Sequence, residues 1–130
     1  MSFLAKLKID NIEYNVLKAR YSIHQSDDET GLPNERPTAG KLFLTVESNK
    51  STDAISWAMS NKMLKDGTLT FYNRDAISTF RKIEFKDAYC LKFEEIFHSS
   101  NTDPLLSELI ISAKELIIKD VSHTNPWTSL

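Results

Sequence analysis

Cysteine occurs once, glycine three times and proline four times in this 130-residue chain. The lone thiol, Cys90, excludes an internal disulfide framework and suits a reducing compartment. Gly31, Gly40 and Gly67 are too few and too scattered to build a glycine-rich loop around a phosphate. No apolar run approaches the roughly 20 residues that a helix needs to cross a bilayer, so membrane insertion is not expected. The opening MSFLAKLKIDNIEY carries Lys6 and Lys8 within its apolar residues and no small-residue cleavage site, and so does not read as a signal peptide. Basic charge is not in excess either. Sixteen Lys and Arg stand against 18 Asp and Glu, a net charge of -2, which gives no field to hold a phosphate backbone and makes nucleic acid an unexpected partner. What remains is ordinary globular composition, 41% apolar and 26% charged. At this length that suits one domain over residues 1–130 with a substantial core.

Catalytic chemistry is equally thin. His24, His98 and His123 lie far apart and form no pair at the spacing of a zinc site, so no metal is expected. Cys90 follows Tyr89 in an alternating stretch, without a nucleophile elbow or an oxyanion signature. Asp27, Asp28 and Glu29 make a solvated charge run, out of register for a calcium loop. Glu94 and Glu95 are neighbours on a strand and point to opposite faces, so they cannot work as an acid–base pair. No cofactor and no enzymatic activity are expected.

Period-two alternation dominates what is present. Residues 3–9 read as one strand, followed by a turn at Asp10-Asn11. The alternation of Ile12, Tyr14 and Val16 then changes parity to Leu17, Ala19, Tyr21 and Ile23, which implies a β-bulge or a change of buried face. KLFLTVES at residues 41–48 is a third strand. A helix over about 52–63 follows, capped by Ser51 or Thr52, with Ala54 or Ile55, Ala58, Met59 and Met63 as its apolar stripe. Trp57 lies off the centre of that stripe, either at the edge of the core or exposed to a partner on the outer surface. Lys65-Asp66-Gly67 signals a turn, and residues 68–73, 79–85 and 88–97 complete a count of six strands before residue 100. Residues 105–118 fit an amphipathic helix better than a strand on periodicity alone. Residues 120–130 form a polar tail with one aromatic, Trp127, packed either on the rest of the chain or against a partner.

The longest irregular stretch is QSDDETGLPNERPTAG, residues 25–40, between the second and third strands. Unstructured connections of this length are uncommon inside a compact domain and are usually functional. It holds Asp27, Asp28, Glu29 and Glu35 against one base, Arg36.

Taken in series, SFLAKLKIDNIEYNVLKARYSIHQ, the loop with KLFLTVES, DGTLTFYNRDAIS, DAYCLKFEE and LIISAKEL resemble the Bacteroidota branch of the haemolysin-coregulated protein family, the tube subunits of type VI secretion systems. The resemblance runs from Ser2 to Trp127 and rests on the number of collinear blocks. It implies a mostly β fold, a two-sheet barrel with one helix at its side, and a strand over about 106–117. It also implies homohexameric rings that stack into a tube inside a contractile sheath, with spike and baseplate proteins and secreted effectors as partners. Such a subunit assembles in the cytoplasm and leaves without a cleavable signal. On this resemblance the long loop reaches between subunits or rings, which makes Asp27, Asp28, Glu29, Leu32, Glu35, Arg36 and Trp127 candidate contact residues. The alternative from the residues themselves is a monomeric barrel that binds a small apolar ligand.

Overall fold

The computed structural model describes residues 3–33, 38–74, 78–100, 102, 104–119 and 121–127. Seven strands and one helix follow in the order β1 (Phe3–Ile9), β2 (Ile12–Tyr21), β3 (Lys41–Glu47), α1 (Asp53–Ala58), β4 (Lys65–Asn73), β5 (Ser78–Phe97), β6 (Leu105–Ile118) and β7 (Val121–Thr124). The strands pair antiparallel in the order β3-β2-β1-β4-β5-β6-β7, and β3 pairs again with β6. That last pairing closes six strands into a barrel, which removes the open edges a flat sheet would leave.

The alternation in the sequence becomes the inside and outside of this barrel. Leu7 and Ile9 of β1, Leu42, Leu44 and Val46 of β3, Leu69 of β4, Ile83 and Phe85 of β5, and Leu109 and Ile111 of β6 are all buried. Cross-strand register stacks them: Leu7 faces Leu69 and Tyr14, and Leu42 faces Ile111 and Tyr21. The parity change in β2 is a bulge between Val16 and Lys18, which restores the inward phase so that Ala19 meets Leu44. The interior is therefore filled by side chains. Among the described residues the depression beside α1, lined by Tyr14, Ala54 and Trp57 with five neighbours, is only about 10 Å³, which leaves no room there for a ligand.

Several expectations are corrected. The segment 105–118 is a strand, as the family resemblance implies and against its local helical period. β6 pairs with β3, β5 and β7, and these non-local ladders outweigh periodicity. The two strands expected at 79–85 and 88–97 are one 20-residue strand, β5, so five strands precede residue 100 and not six. β5 turns through Asp87 at φ 51, where the Asp87 amide donates to Asp66 Oδ1 at 2.9 Å. Lys65-Asp66-Gly67 opens β4 and is not a turn. Gly67 is needed there because a Cβ would sit 2.8 Å from Phe85 Cε2 and 2.9 Å from the Lys8 carbonyl.

The helix is shorter than 52–63. It stops at Ala58 because Ser60 Oγ accepts from the amides of Lys62 and Met63 and bends the chain into a turn. Met59 is left exposed, and neither it nor Met63 joins an apolar stripe. The polar tail is not all irregular either, since Val121–Thr124 add a short strand to β6.

Candidate assembly surface

The stretch from 25 to 40 is not a loose loop where it is described. His24 and Thr38 exchange backbone hydrogen bonds at 2.9 and 2.6 Å, and Asp27 bridges to Pro33, so the two limbs run side by side as a narrow arm. At its tip Asp28 closes the turn. Its Oδ1 accepts from the Thr30 hydroxyl at 2.7 Å, the Thr30 amide at 2.9 Å and the Leu32 amide at 3.1 Å. These bonds, led by the one from the Thr30 hydroxyl, hold the Asp28 carboxyl below its ordinary 3.8. Asp28 thus shapes the tip, while Glu29 and Leu32 are exposed on it. Glu35 and Arg36 lie outside the described residues.

The base of the arm is bolted to the barrel by a group that periodicity could not reveal. Asn125 Nδ2 donates to the Ala39 carbonyl at 3.0 Å and to the Ala113 carbonyl at 2.9 Å, and its Oδ1 pairs with His123 Nε2 at 3.0 Å. The Ala113 amide donates to the Gly40 carbonyl at 2.8 Å. One side chain in the tail therefore ties the end of the arm to the middle of β6. Asn-Pro near a terminus was the only trace of this in the sequence.

Trp127 packs its ring on Tyr89, with centroids 5.5 Å apart, and is half-buried, so it is pinned to its own barrel. Trp57 is a core residue, which decides between the two positions open to it, core and outer surface, in favour of the core. It is fully buried, and Nε1 donates to the carbonyls of Met63 and Ala88, each at 3.1 Å. Both acceptors lie where the chain departs from regular pairing, after α1 and at the bend of β5.

Several basic groups on the wall are paired. Lys6 bonds Asn15 at 2.5 Å and lies 3.4 Å from Glu13, and Asn15 continues to Glu47 at 3.1 Å, a polar ladder across β1, β2 and β3. Lys92 lies 3.0 Å from Glu94 and 3.7 Å from Glu108, and the Glu94 contact first of all raises its pKa. Lys65 pairs with Asp10 beside α1. No group of three or more potential metal ligands comes together among the described residues.

Cys90 is buried, and burial pushes its thiol from the ordinary 9.0 up to about 11, while the S–H donates to the Lys92 carbonyl at 3.3 Å. The folded thiol therefore stays protonated where an unfolded one ionises. Between pH 9 and about 11 the unfolded chain binds fewer protons, so stability is expected to fall as pH rises through that window. Burial likewise raises Tyr14 above its ordinary 10.0, which acts in the same sense at higher pH. Denaturant midpoints measured from pH 8 to 11 check the trend. A companion assay is alkylation at pH 8, where folded Cys90 is expected to react only after denaturant is added, and labelling at the rate of a free thiol in the native state would refute its burial.

The comparisons with known proteins bear on this arrangement. A family model described as hemolysin coregulated protein Hcp (TssD) matches residues 1–128. The chain belongs to the Hcp family. The structure of Hcp1 from Flavobacterium johnsoniae is similar at 30% identity, covering 94% of this chain and 99% of that one, with a TM-score of 0.88. Hcp1 from Salmonella typhimurium shares the fold at 14% identity and a TM-score of 0.75, over 95% of each chain. An extracellular contractile injection system, solved as a PVC sheath–tube complex, contains a chain of the same fold at 18% identity and a TM-score of 0.54, over 92% of this chain and 88% of that one. None of the curated proteins compared matches. As an Hcp protein the chain is a tube subunit of type VI secretion, and the family is one of structural proteins. For such a subunit the surfaces that matter are those that meet other copies.

Proposed function

We propose that this Hcp chain forms hexameric rings that stack into the inner tube of a type VI secretion system, and that sheath contraction ejects the tube with its effector proteins and spike. The observation that carries this reading is the match to Hcp1 over 94% of the chain at a TM-score of 0.88. The barrel supports it further, because its interior is occupied by side chains and so any cargo must be held by the ring, between copies. Rings close through heterologous contacts, one patch of a subunit meeting a different patch of the next. The acidic arm supplies one such patch.

Native mass spectrometry with negative-stain electron microscopy tests the proposal. Six times the monomer mass of 14.9 kDa and rings with a central pore are expected. A monomer at every concentration would support the ligand-binding alternative instead. Within the arm, Glu29→Lys reverses an exposed charge without touching the turn that Asp28 closes. It is expected to shorten tubes and make their length more salt-dependent while the melting temperature stays within about 1 °C, since exposed charges contribute little to folding. Asp28→Lys removes charge and turn together and is expected to disturb the arm itself. Tubes of unchanged length in Glu29→Lys would remove the arm from the contact.

A further inference from the structure

β5 overhangs its neighbours. β6 leaves it at the pair Ile83 with Ile118 and turns away through Lys119 at φ 56 into β7. Beyond that point Ser78–Lys82 pair with β4 on one side, and no strand among the described residues pairs with them on the other. A strand edge of this kind presents unpaired backbone groups, which natural sheets normally cover or charge. The register also slips here: Thr79 faces Tyr72 and Arg81 faces Phe71, so Phe80 is the extra residue of a bulge. Its ring is half exposed, stacks edge-on against Phe3 with centroids 4.9 Å apart, and lies under the Arg81 guanidinium at 5.2 Å. Thr79 to Lys82, Glu84 and Ile117 to Lys119 line a groove of about 550 Å³ along this edge. Its floor is apolar and its rim carries three bases against one acid, Glu84, which lies 3.3 Å from Lys82.

The arm has the opposite character. From Gln25 to Pro33 it carries three acids and no base, and its tip exposes Leu32. Lys6 and Lys92 on the wall are poorer receivers, because Lys6 already holds Glu13 of β2 and Lys92 holds Glu94 of its own strand and Glu108 of β6. We propose that the tip of the arm of one copy seats in the groove beside the open edge of β5 on a neighbouring copy, Leu32 against Phe80 and Ile118, and Glu29 against Arg81 and Lys119. This rests on the tube reading and gives the arm its receiving surface. The contact joins two different patches, so it propagates from copy to copy, as a ring or stack requires. It also covers the edge of β5 that β6 leaves unpaired around Phe80.

Cross-linking tests it directly. Leu32→Cys and Thr79→Cys are both surface changes, and native Cys90 is buried. The two single variants are mixed, assembled until electron microscopy shows stacked rings, and oxidised with oxidised glutathione. A disulfide joining positions 32 and 79, found by mass spectrometry of digested covalent dimers, is the expected result, with none in either variant alone. Stacked rings without that disulfide overturn the assignment of the groove and leave the tube intact. Absence of rings overturns the tube reading, and this inference with it. As a second readout, Glu29→Lys is expected to regain most of its lost tube length when combined with Lys119→Glu, and no recovery counts against the pairing.

Discussion

Trp57→Ala is expected to cost about 3–5 kcal/mol of stability, the range for emptying a large buried aromatic site. For a domain of this size that corresponds to a fall of roughly 10–20 °C in melting temperature. The side chain is fully buried between α1 and β5 and is among the largest in the core. Its loss also strands two carbonyls, of Met63 and Ala88, which the indole N–H now satisfies at 3.1 Å each. A buried acceptor left without a partner costs about 1–3 kcal/mol. Trp57→Phe separates the two contributions, since it keeps most of the volume and removes only the donor, and it is expected to recover about half of the loss. Thermal and denaturant unfolding of both variants decide the matter. A melting temperature within 3 °C of the parent for Trp57→Ala would show that α1 is not anchored through this ring.

Gly40→Ala is expected to destabilise by roughly 2–4 kcal/mol, through backbone strain and a contact that cannot yield. Gly40 sits at φ +112, a region that side chains disfavour. A Cβ built there meets Asn125 Nδ2 at 2.5 Å and the Ala113 carbonyl oxygen at 2.8 Å. Asn125 could shift only by giving up its bonds to Ala39 and Ala113, and the Ala113 carbonyl is held within β6. The arm would lose its bolt, so assembly is expected to fail even where the barrel survives. Gly31→Ala is the control, because Gly31 at φ +89 has open space where the Cβ would go. It carries the conformational cost alone, about 1–2 kcal/mol. Denaturant midpoints of the two variants, with native mass for assembly, measure the difference, and equal losses would mean that the contact at Gly40 relaxes without cost.

The bolt and the groove have one origin in physical terms. Both come from strands that run on past one partner: β6 past β3 to meet Gly40 and Asn125, and β5 past β6 to leave Ser78–Lys82 paired on the β4 side alone. Strand overhang is a property of the ladder, and no local pattern of side chains records it. The same reasoning explains the misread bend in β5. Lys86-Asp87 looks like a gap between two strands, whereas β4 on one side and β6 on the other carry the ladder across it.

The sequence by itself determined the class of fold, because period-two alternation marks most of the strands from Phe3 to Phe97, most regularly Lys41–Glu47. It also located the irregularity in β2, since a parity change means a bulge or a change of buried face, and the structure shows the bulge. The segment between β2 and β3 was legible as the longest irregular stretch, and as an acidic one, by its length and charge. Tertiary structure decided what periodicity could not: that residues 105–118 are a strand, as only the family resemblance implied, that Trp57 is core, that Trp127 lies on Tyr89 and that Asn125 holds the arm. Each of these depends on a partner far away in the chain. An amphipathic segment satisfies a helix or a strand equally well until the closing pair β3 and β6 supplies its hydrogen bonds, and an indole or an amide has no address until the carbonyls that it must satisfy are in place.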